Sequence, residues 1–248
     1  MFRKNIEYSK FNIDMHTHII PELDDGSKSV EQSLEMLKRE AEQGVSSVVL
    51  TPHFYAWENS PEEFLNRRSK KLENLLSELK NSGVNVPKLS VGAEVLFFEG
   101  MGSCEALKNL AVLGTNYLLL EMPFSPWSKR TIEEVQKIKS FLKLIPIIAH
   151  IDRYMPLQPD KYIAELLKMD VLIQVNAEFF TERRTKRKAL GFLEEGFVHF
   201  VGSDCHNTGD RAPNLEKASE IVSKKLGSEA VDYVNSRAAG FLYNLEYV

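Results

Sequence analysis

The residues best able to do chemistry in this chain are histidines and carboxylates placed at the ends of short apolar runs. His16-Thr17-His18 is the clearest case: on an extended segment, side chains alternate with period two, so both imidazoles face the same side. Asp204-Cys205-His206 repeats that geometry if its segment is extended. Thr51-Pro52-His53, Gly92-Ala93-Glu94, Glu121 and His150 occupy equivalent places, and Asp24 and Asp25 follow the first run. Five of the six histidines therefore lie at run ends beside carboxylates. Imidazole mixed with carboxylate suits zinc, manganese or iron, and no cysteine pair argues for a structural zinc site. The donors exceed the needs of one ion, so they imply a cluster of two or more, with a carboxylate such as Glu94 bridging. Singly, each has a simpler reading. Asp24 or Asp25 before Gly26 can make an Asx turn, Glu121 can cap the turn after it, and His199, inside its run, is assigned to structure.

The runs themselves are Phe11–Met15, Ser46–Leu50, Leu89–Gly92, Tyr117–Leu120, Ile145–Ala149, Val171–Val175 and Val198–Val201. Several are nearly continuous in Val, Ile and Leu, the pattern of parallel strands covered on both faces. Helices are expected between them. Val30, Leu34, Leu37 and Ala41 make one apolar stripe, with Ser29/Gln32 as capping box and Gly44 as stop. Ser60-Pro61-Glu62-Glu63 starts a second helix, and Thr131 with Glu134 a third. Seven strand–helix units without a linker imply one α/β domain, barrel-like, spanning residues 1–248, although a doubly wound open sheet would show the same local pattern. In either architecture the chemistry sits at the C-terminal strand ends.

Composition excludes several function classes. With 31 Lys+Arg against 35 Asp+Glu, no broad basic field favours nucleic acid, and the basic run Arg183–Lys188 reads as a solvated loop. Two cysteines suggest no disulfide framework. Neither an apolar leader nor a membrane-length stretch is present, so a cytoplasmic enzyme without membrane insertion is expected.

These residues also carry a resemblance. DMHTHIIPELDDGS (14–27), VVLTPHF (48–54), GAEV (92–95), LLLEMPF (118–124), PIIAHIDRY (146–154) and FVGSDCHN (200–207) resemble, in order, the motifs of the polymerase-and-histidinol-phosphatase (PHP) superfamily. Within it the chain is similar to the metal-dependent protein-tyrosine phosphatases of bacterial capsule and exopolysaccharide operons. The resemblance implies a distorted (β/α)7 TIM-like barrel with three divalent metal ions, manganese-favouring, with iron or zinc also compatible. By motif, His16, His18 and Asp204 would hold the first ion, and Glu94 would bridge to a second completed by Glu121 and His150. Asp25, His53 and His206 would hold the third, and Arg153 and Arg211 would bind phosphate. The chain departs from the common His-Pro-Glu-Arg at the fifth strand, reading His150-Ile151-Asp152-Arg153.

The implied reaction is phosphomonoester hydrolysis by metal-activated water, with Arg153 and Arg211 giving planar bidentate contacts. Asp204 is essential in this scheme, and Asp24 or Asp152 would be placed to assist proton transfer. The implied substrate is a phosphotyrosine protein, a cognate bacterial tyrosine kinase controlling polysaccharide export. The alternatives are a small-molecule phosphatase acting on histidinol phosphate and a non-catalytic metal-binding partner module. A thiol mechanism using Cys205 and Arg211, which share the spacing of cysteine-dependent phosphatases, is disfavoured because Asp204 and Asp210 put negative charge where phosphate would sit.

Overall fold

A computed structural model describes residues 9–242 and 246–248, so residues 1–8 of the N-terminal segment lie outside the described residues. In chain order the elements are β1 (Ile13–Thr17), α1 (Val30–Glu42), β2 (Ser47–Leu50), β3 (His53–Phe54), α2 (Pro61–Ser82), β4 (Lys88–Val91), β5 (Glu94–Leu96), β6 (Tyr117–Glu121), α3 (Lys129–Ser140), β7 (Ile145–Ile148), α4 (Ile151–Tyr154), α5 (Asp160–Lys168), β8 (Leu172–Asn176), α6 (Ala177–Thr181), α7 (Lys186–Glu194), β9 (Phe200–Gly202), α8 (Leu215–Leu226) and α9 (Ser228–Leu242). All strand pairs are parallel, as the apolar runs demand.

Two of the expected strands, now β2 and β4, are each followed by a second short strand that the apolar runs did not include. Pro52 separates β2 from β3, and Gly92-Ala93 separates β4 from β5. Proline cannot donate to a ladder and glycine weakens one, so both runs bend there. The lower strands pair as β1-β2-β4, while the upper strands join β3-β5-β6-β7-β8-β9. Residues 112 and 113 span the resulting gap, Leu113 N–H donating to Val91 O and Val112 N–H to Tyr117 O, both at 2.9 Å. The result is a strongly curled parallel sheet. It closes only at the mouth, where Thr17 and Cys205 form an isolated parallel bridge between the ends of β1 and β9.

Period-two alternation sorts the strand side chains onto the two faces. Inward-facing Ile13, Met15, Val49, Leu119, Ile147 and Phe200 form a small inner cluster, closed below by Ala238 and Phe241 of α9. Their outward neighbours Val48, Leu118, Leu120, Ile148, Ile173 and Val201 pack beneath the helices in the larger cluster. Climbing the inner face, the residue type changes from apolar to polar. Leu119 is followed two residues on by Glu121, and Leu172 by Gln174 and then Asn176. In β1 the register shifts by one residue between Asp14 and Thr17. Such a bulge re-aims the side chains beyond it, here His16 and His18.

Helix boundaries follow local chemistry with two corrections. Ser60 and Glu63 form the reciprocal capping box expected for α2. The third helix starts at Lys129, capped by Ser128 and with Thr131 as its third residue, because Ser128 and Thr131 complete the box between themselves. Glu134 instead accepts from Gly102 N–H at 3.0 Å. In α1 the expected stripe does face the core, with Leu37 buried and Val30 and Leu34 packed partly buried against it, but the most buried face is centred on Ser33, Met36, Leu37 and Glu40. That face presents Glu40 to the buried Asp14 and Cys205.

Gly202 lies where β9 crosses closest to β1. A Cβ there would stand 2.7 Å from His16 Cβ and 2.8 Å from Gln174 Nε2. Gly202→Ala is therefore expected to destabilise the fold by about 1–3 kcal/mol, read as a lower urea midpoint at unchanged m-value.

Candidate metal centre

The seven strand ends deliver their polar residues to one point. His16 Nε2 and His18 Nε2 lie 3.1 Å apart. Around them stand Glu94 Oε2, at 3.0 and 3.3 Å, and Asp204 Oδ1, at 3.6 and 3.4 Å. His150 Nε2 approaches the other Glu94 oxygen at 2.8 Å, and His53 Nδ1 approaches Oε2 at 3.0 Å. Glu121 lies between those two imidazoles, 3.7 Å from His53 and 3.8 Å from His150. On the outer side, Asp25 is 3.2 Å from His206 Nε2 and 3.6 Å from His53 Nε2. Every metal-ligand residue expected from the sequence is thus brought to this mouth.

The donor atoms form four overlapping groups able to hold a cation: His16/His18/Asp204, His16/Glu94/His150, His53/Glu94/Glu121 and His18/Asp25/His53/His206. Glu94 Oε2, His53 Nδ1 and His206 Nε2 are buried without a hydrogen-bond partner. Glu94 Oε2 nevertheless sits within ion-pair reach of three imidazoles. Lone pairs aimed at a common point without hydrogen-bond geometry suit a cation between them.

Electrostatics give the same account. Burial, then the Glu94 charge beside it, pushes the Glu121 carboxyl up to about 8. Burial likewise resists ionisation of Glu94 and Asp204, yet His16 and the other imidazoles hold both well below the usual carboxylate range. Burial disfavours the charged form of His18, but Asp24 and Asp204 raise it well above the ordinary histidine value. Without an ion, protons must neutralise this crowd; a cation would replace them.

A surrounding layer of hydrogen bonds fixes the rings. Asp24 Oδ2 lies 2.7 Å from His18 Nδ1 and accepts from His53 N–H at 2.9 Å, while Oδ1 accepts from Gly26 N–H at 2.9 Å. With both oxygens engaged, Asp24 orients ligands rather than serving as a free base. Gly26 itself is required, since a Cβ would fall 2.2 Å from His18 O. Gln174 Oε1 accepts from His150 N–H at 2.7 Å and lies 3.3 Å from His16 Nδ1. Its amide donates to Asn176 Oδ1 at 3.0 Å, and Asn176 donates in turn to Asp204 Oδ2 at 3.0 Å. Asp152 Oδ1 accepts from Asn176 N–H at 3.1 Å, and burial pushes its carboxyl up to about 6. Gln174 and Asn176 were missed by the sequence reading. Their signal was two polar residues at inward positions of an apolar strand. His150 and Asp204 both hold φ in the left-handed region, +30° and +53°, a local cost retained where a side chain must be aimed.

The two arginines converge from opposite sides on Asp204. Arg153 pairs with Oδ2, and Arg211 donates to Oδ1 at 3.0 Å while also facing Asp25 at 3.8 Å. Both are partly exposed, so their guanidinium groups line the open side of the centre. His199 lies away from it, with Nδ1 at 3.0 Å from Phe197 O and 3.2 Å from Ile173 N. Arg183 and Arg184 are exposed on the loop after α6. Cys205 is fully buried, and burial followed by the charges of Glu40 and Asp14 drives its thiol well above the usual value. It presents no thiolate to a substrate, which removes the cysteine mechanism.

Beneath the centre, Asp14 Oδ1 accepts from His16 N–H at 3.1 Å and Ser203 N–H at 3.0 Å, tying β1 to the segment after β9. Its other oxygen and Glu40 Oε2 lack conventional partners. Burial raises both carboxyls, and the charge of Asp14 raises Glu40 further.

Fold and site together define an α/β-barrel protein with a cluster of His and carboxylate groups able to hold metal at its mouth. Residues 12–242 match the family model for capsular polysaccharide synthesis, CpsB/CapC. The chain belongs to that family. It is 31% identical over 228 residues to the tyrosine-protein phosphatase CpsB of Streptococcus pneumoniae, covering 88% of this chain and 92% of that one. To the tyrosine-protein phosphatase YwqE of Bacillus subtilis (strain 168) it is 26% identical, covering 94% and 92%. A solved structure from work on YwqE and CpsB, described as unique metal-dependent tyrosine phosphatases, superposes with TM-score 0.80 at 23% identity, over 95% of this chain and 96% of the other. The lactonase Lmo2620 of Listeria monocytogenes shares the fold at TM-score 0.59 and 12% identity, over 93% and 97% of the two chains.

Asp24→Asn is expected to weaken metal retention by roughly 10- to 100-fold, the usual effect of losing a ligand-orienting carboxylate. Competition against a chromogenic chelator measures it; wild-type retention would refute the orienting role.

Proposed function

We propose that this chain, as a single phosphatase domain over residues 1–248, is a metal-dependent protein-tyrosine phosphatase. The observation that carries the reading is the convergence of five imidazoles and four carboxylates beside two partly exposed arginines. His16, His18 and Asp204 would hold one ion; Glu94 would bridge to a second held with Glu121 and His150; Asp25, His53 and His206 would hold a third. Manganese is the first candidate, with iron and zinc compatible with the same donors. Bound there, the ions would supply Lewis-acid charge to the phosphoryl group and lower the pKa of a coordinated water towards neutrality.

The chain's own residues do the rest. Arg153 and Arg211 bind the phosphate oxygens, their planar forks matching a bidentate geometry that a lysine cannot reproduce. Asp204 holds both guanidinium groups at the rim, Arg153 on Oδ2 and Arg211 on Oδ1. Gln174 and Asn176 keep His16, His150 and Asp204 aimed, so little reorganisation accompanies the reaction.

The substrate proposed is a phosphotyrosine-bearing protein, a cognate bacterial tyrosine kinase governing capsule or exopolysaccharide synthesis, met in the cytoplasm. The relatives' activity and the family's capsule context support this assignment. Among the described residues no helix is long and apolar enough to cross a membrane.

Turnover of a phosphotyrosine peptide should vanish on chelation and return with Mn2+, and should exceed turnover of histidinol phosphate. Full activity in a verified metal-free sample would sink the reading, and a preference for histidinol phosphate would move the chain to small-molecule chemistry. Absence of any metal-dependent turnover would leave a binding module. Arg153→Ala and Arg211→Ala should each lower kcat/KM by about 100-fold or more. Asp204→Asn should abolish turnover, whereas Cys205→Ser should retain it.

A further inference from the structure

Two files of aromatic rings leave the metal centre and reach the surface. In one, His53 stacks on Tyr55 with centroids 5.0 Å apart and 21° between planes, and Tyr55 stacks on Trp57 at 4.9 Å and 15°. In the other, His150 meets Tyr154 at 5.5 Å, and Tyr154 meets Phe124 at 5.3 Å. Trp57 and Phe124, at the outer ends, are 66% and 52% exposed. Both files begin beside Glu121, which lies 3.7 Å from His53 and 3.8 Å from His150. Glu121 therefore stands at the inner ends of both files.

Neither outer ring hangs on a loose loop. Glu58 and Asn59 N–H both donate to Tyr55 O, at 3.0 and 3.3 Å, which folds the Trp57 turn back on itself. Arg67 of α2 then holds Asn59 Oδ1 at 3.1 Å and Leu23 O at 3.3 Å. On the other side the buried Gln158 accepts from Trp127 N–H at 2.7 Å and donates to Phe124 O at 3.3 Å. Large exposed aromatics held in this way, continuous with a centre, mark a binding surface rather than stray surface apolarity.

Resting on the phosphatase reading above, we infer that Trp57 and Phe124 are specificity-determining residues that flank the aryl ring of the phosphotyrosine substrate. In an aryl phosphomonoester the ring is one ester oxygen from phosphorus, so a phosphoryl group held by Arg153 and Arg211 directs its ring out of the centre. Tyr55 is engaged by His53 and Trp57, and the exposed Trp57 is the outermost ring of its file, available to a further partner. Alkyl phosphates such as phosphoserine lack an aryl ring, and discrimination then follows from aromatic contact.

The test compares Trp57→Ala and Phe124→Ala with wild type on a phosphotyrosine peptide and on a phosphoserine peptide of the same flanking sequence. An aromatic pair contributes enough to raise KM for the phosphotyrosine peptide by roughly 3- to 10-fold in each variant, with kcat little changed. Trp57→Phe and Phe124→Tyr should restore the wild-type KM. A binding readout stands beside the kinetics. Of the two tryptophans Trp127 is buried, so phenylphosphonate should quench emission from Trp57 and methylphosphonate should not. Equal losses on both peptides, or unchanged KM together with no selective quenching, would overturn the inference while leaving phosphatase activity intact. If wild type does not turn over the phosphotyrosine peptide at all, the proposed function fails and takes this inference with it.

Discussion

The structure depends on how the first and last strands meet. Asp204 N–H donates to His16 O at 2.8 Å, and His18 N–H donates to Cys205 O at 2.9 Å. These two bonds close the curled sheet at the one height where His16, His18, Asp204 and His206 are carried. Below them the Asp14 carboxylate crosses the same seam to Ser203 N–H. A barrel left open here would leave these ligands on separate edges, so closure and assembly of the centre are one event.

Closure concentrates charge. Glu94, with two buried oxygens facing four imidazoles, stands at the middle, with Glu121, Asp204 and Asp25 around it. Like charges this close raise each other's pKa unless opposite charge is supplied. The imidazoles around it and the two arginines can supply part of it, and bound metal would supply it more compactly. The same crowding explains why the orienting groups are neutral or already engaged. Gln174 and Asn176 position ligands without adding charge, and Asp24 is committed to His18.

A second buried carboxyl pair lies one layer down, where Glu40 of α1 meets Asp14. Helix α1 turns its Ser33–Met36–Leu37–Glu40 face inward because this polar contact competes with the purely apolar stripe. Ser33 Oγ joins the arrangement by donating to Ile19 O at 2.5 Å, anchoring the helix to the segment that leaves β1. Ionisation in that position is costly, and burial accordingly raises both carboxyls.

Much of this was legible in the residues alone. Strand positions followed from apolar runs, and the candidate ligands stood out as five histidines and several carboxylates recurring at run ends, because a parallel barrel must gather its C-terminal strand ends into one rim. Capping at Ser60 was equally local. What periodicity could not decide was set by tertiary contact. The short strands beyond Pro52 and Gly92-Ala93 exist only because they pair within a different sheet. The start of α3 moved to Lys129 because Glu134 found Gly102 instead. Gln174 and Asn176 look like ordinary strand residues until the barrel curls and turns them towards His16 and Asp204. The sequence by itself determined which chemical groups are available and that they lie at strand ends. Only the tertiary structure decided which atoms face one another at 3 Å, because those distances are set by the β1–β9 seam between residues nearly 190 positions apart.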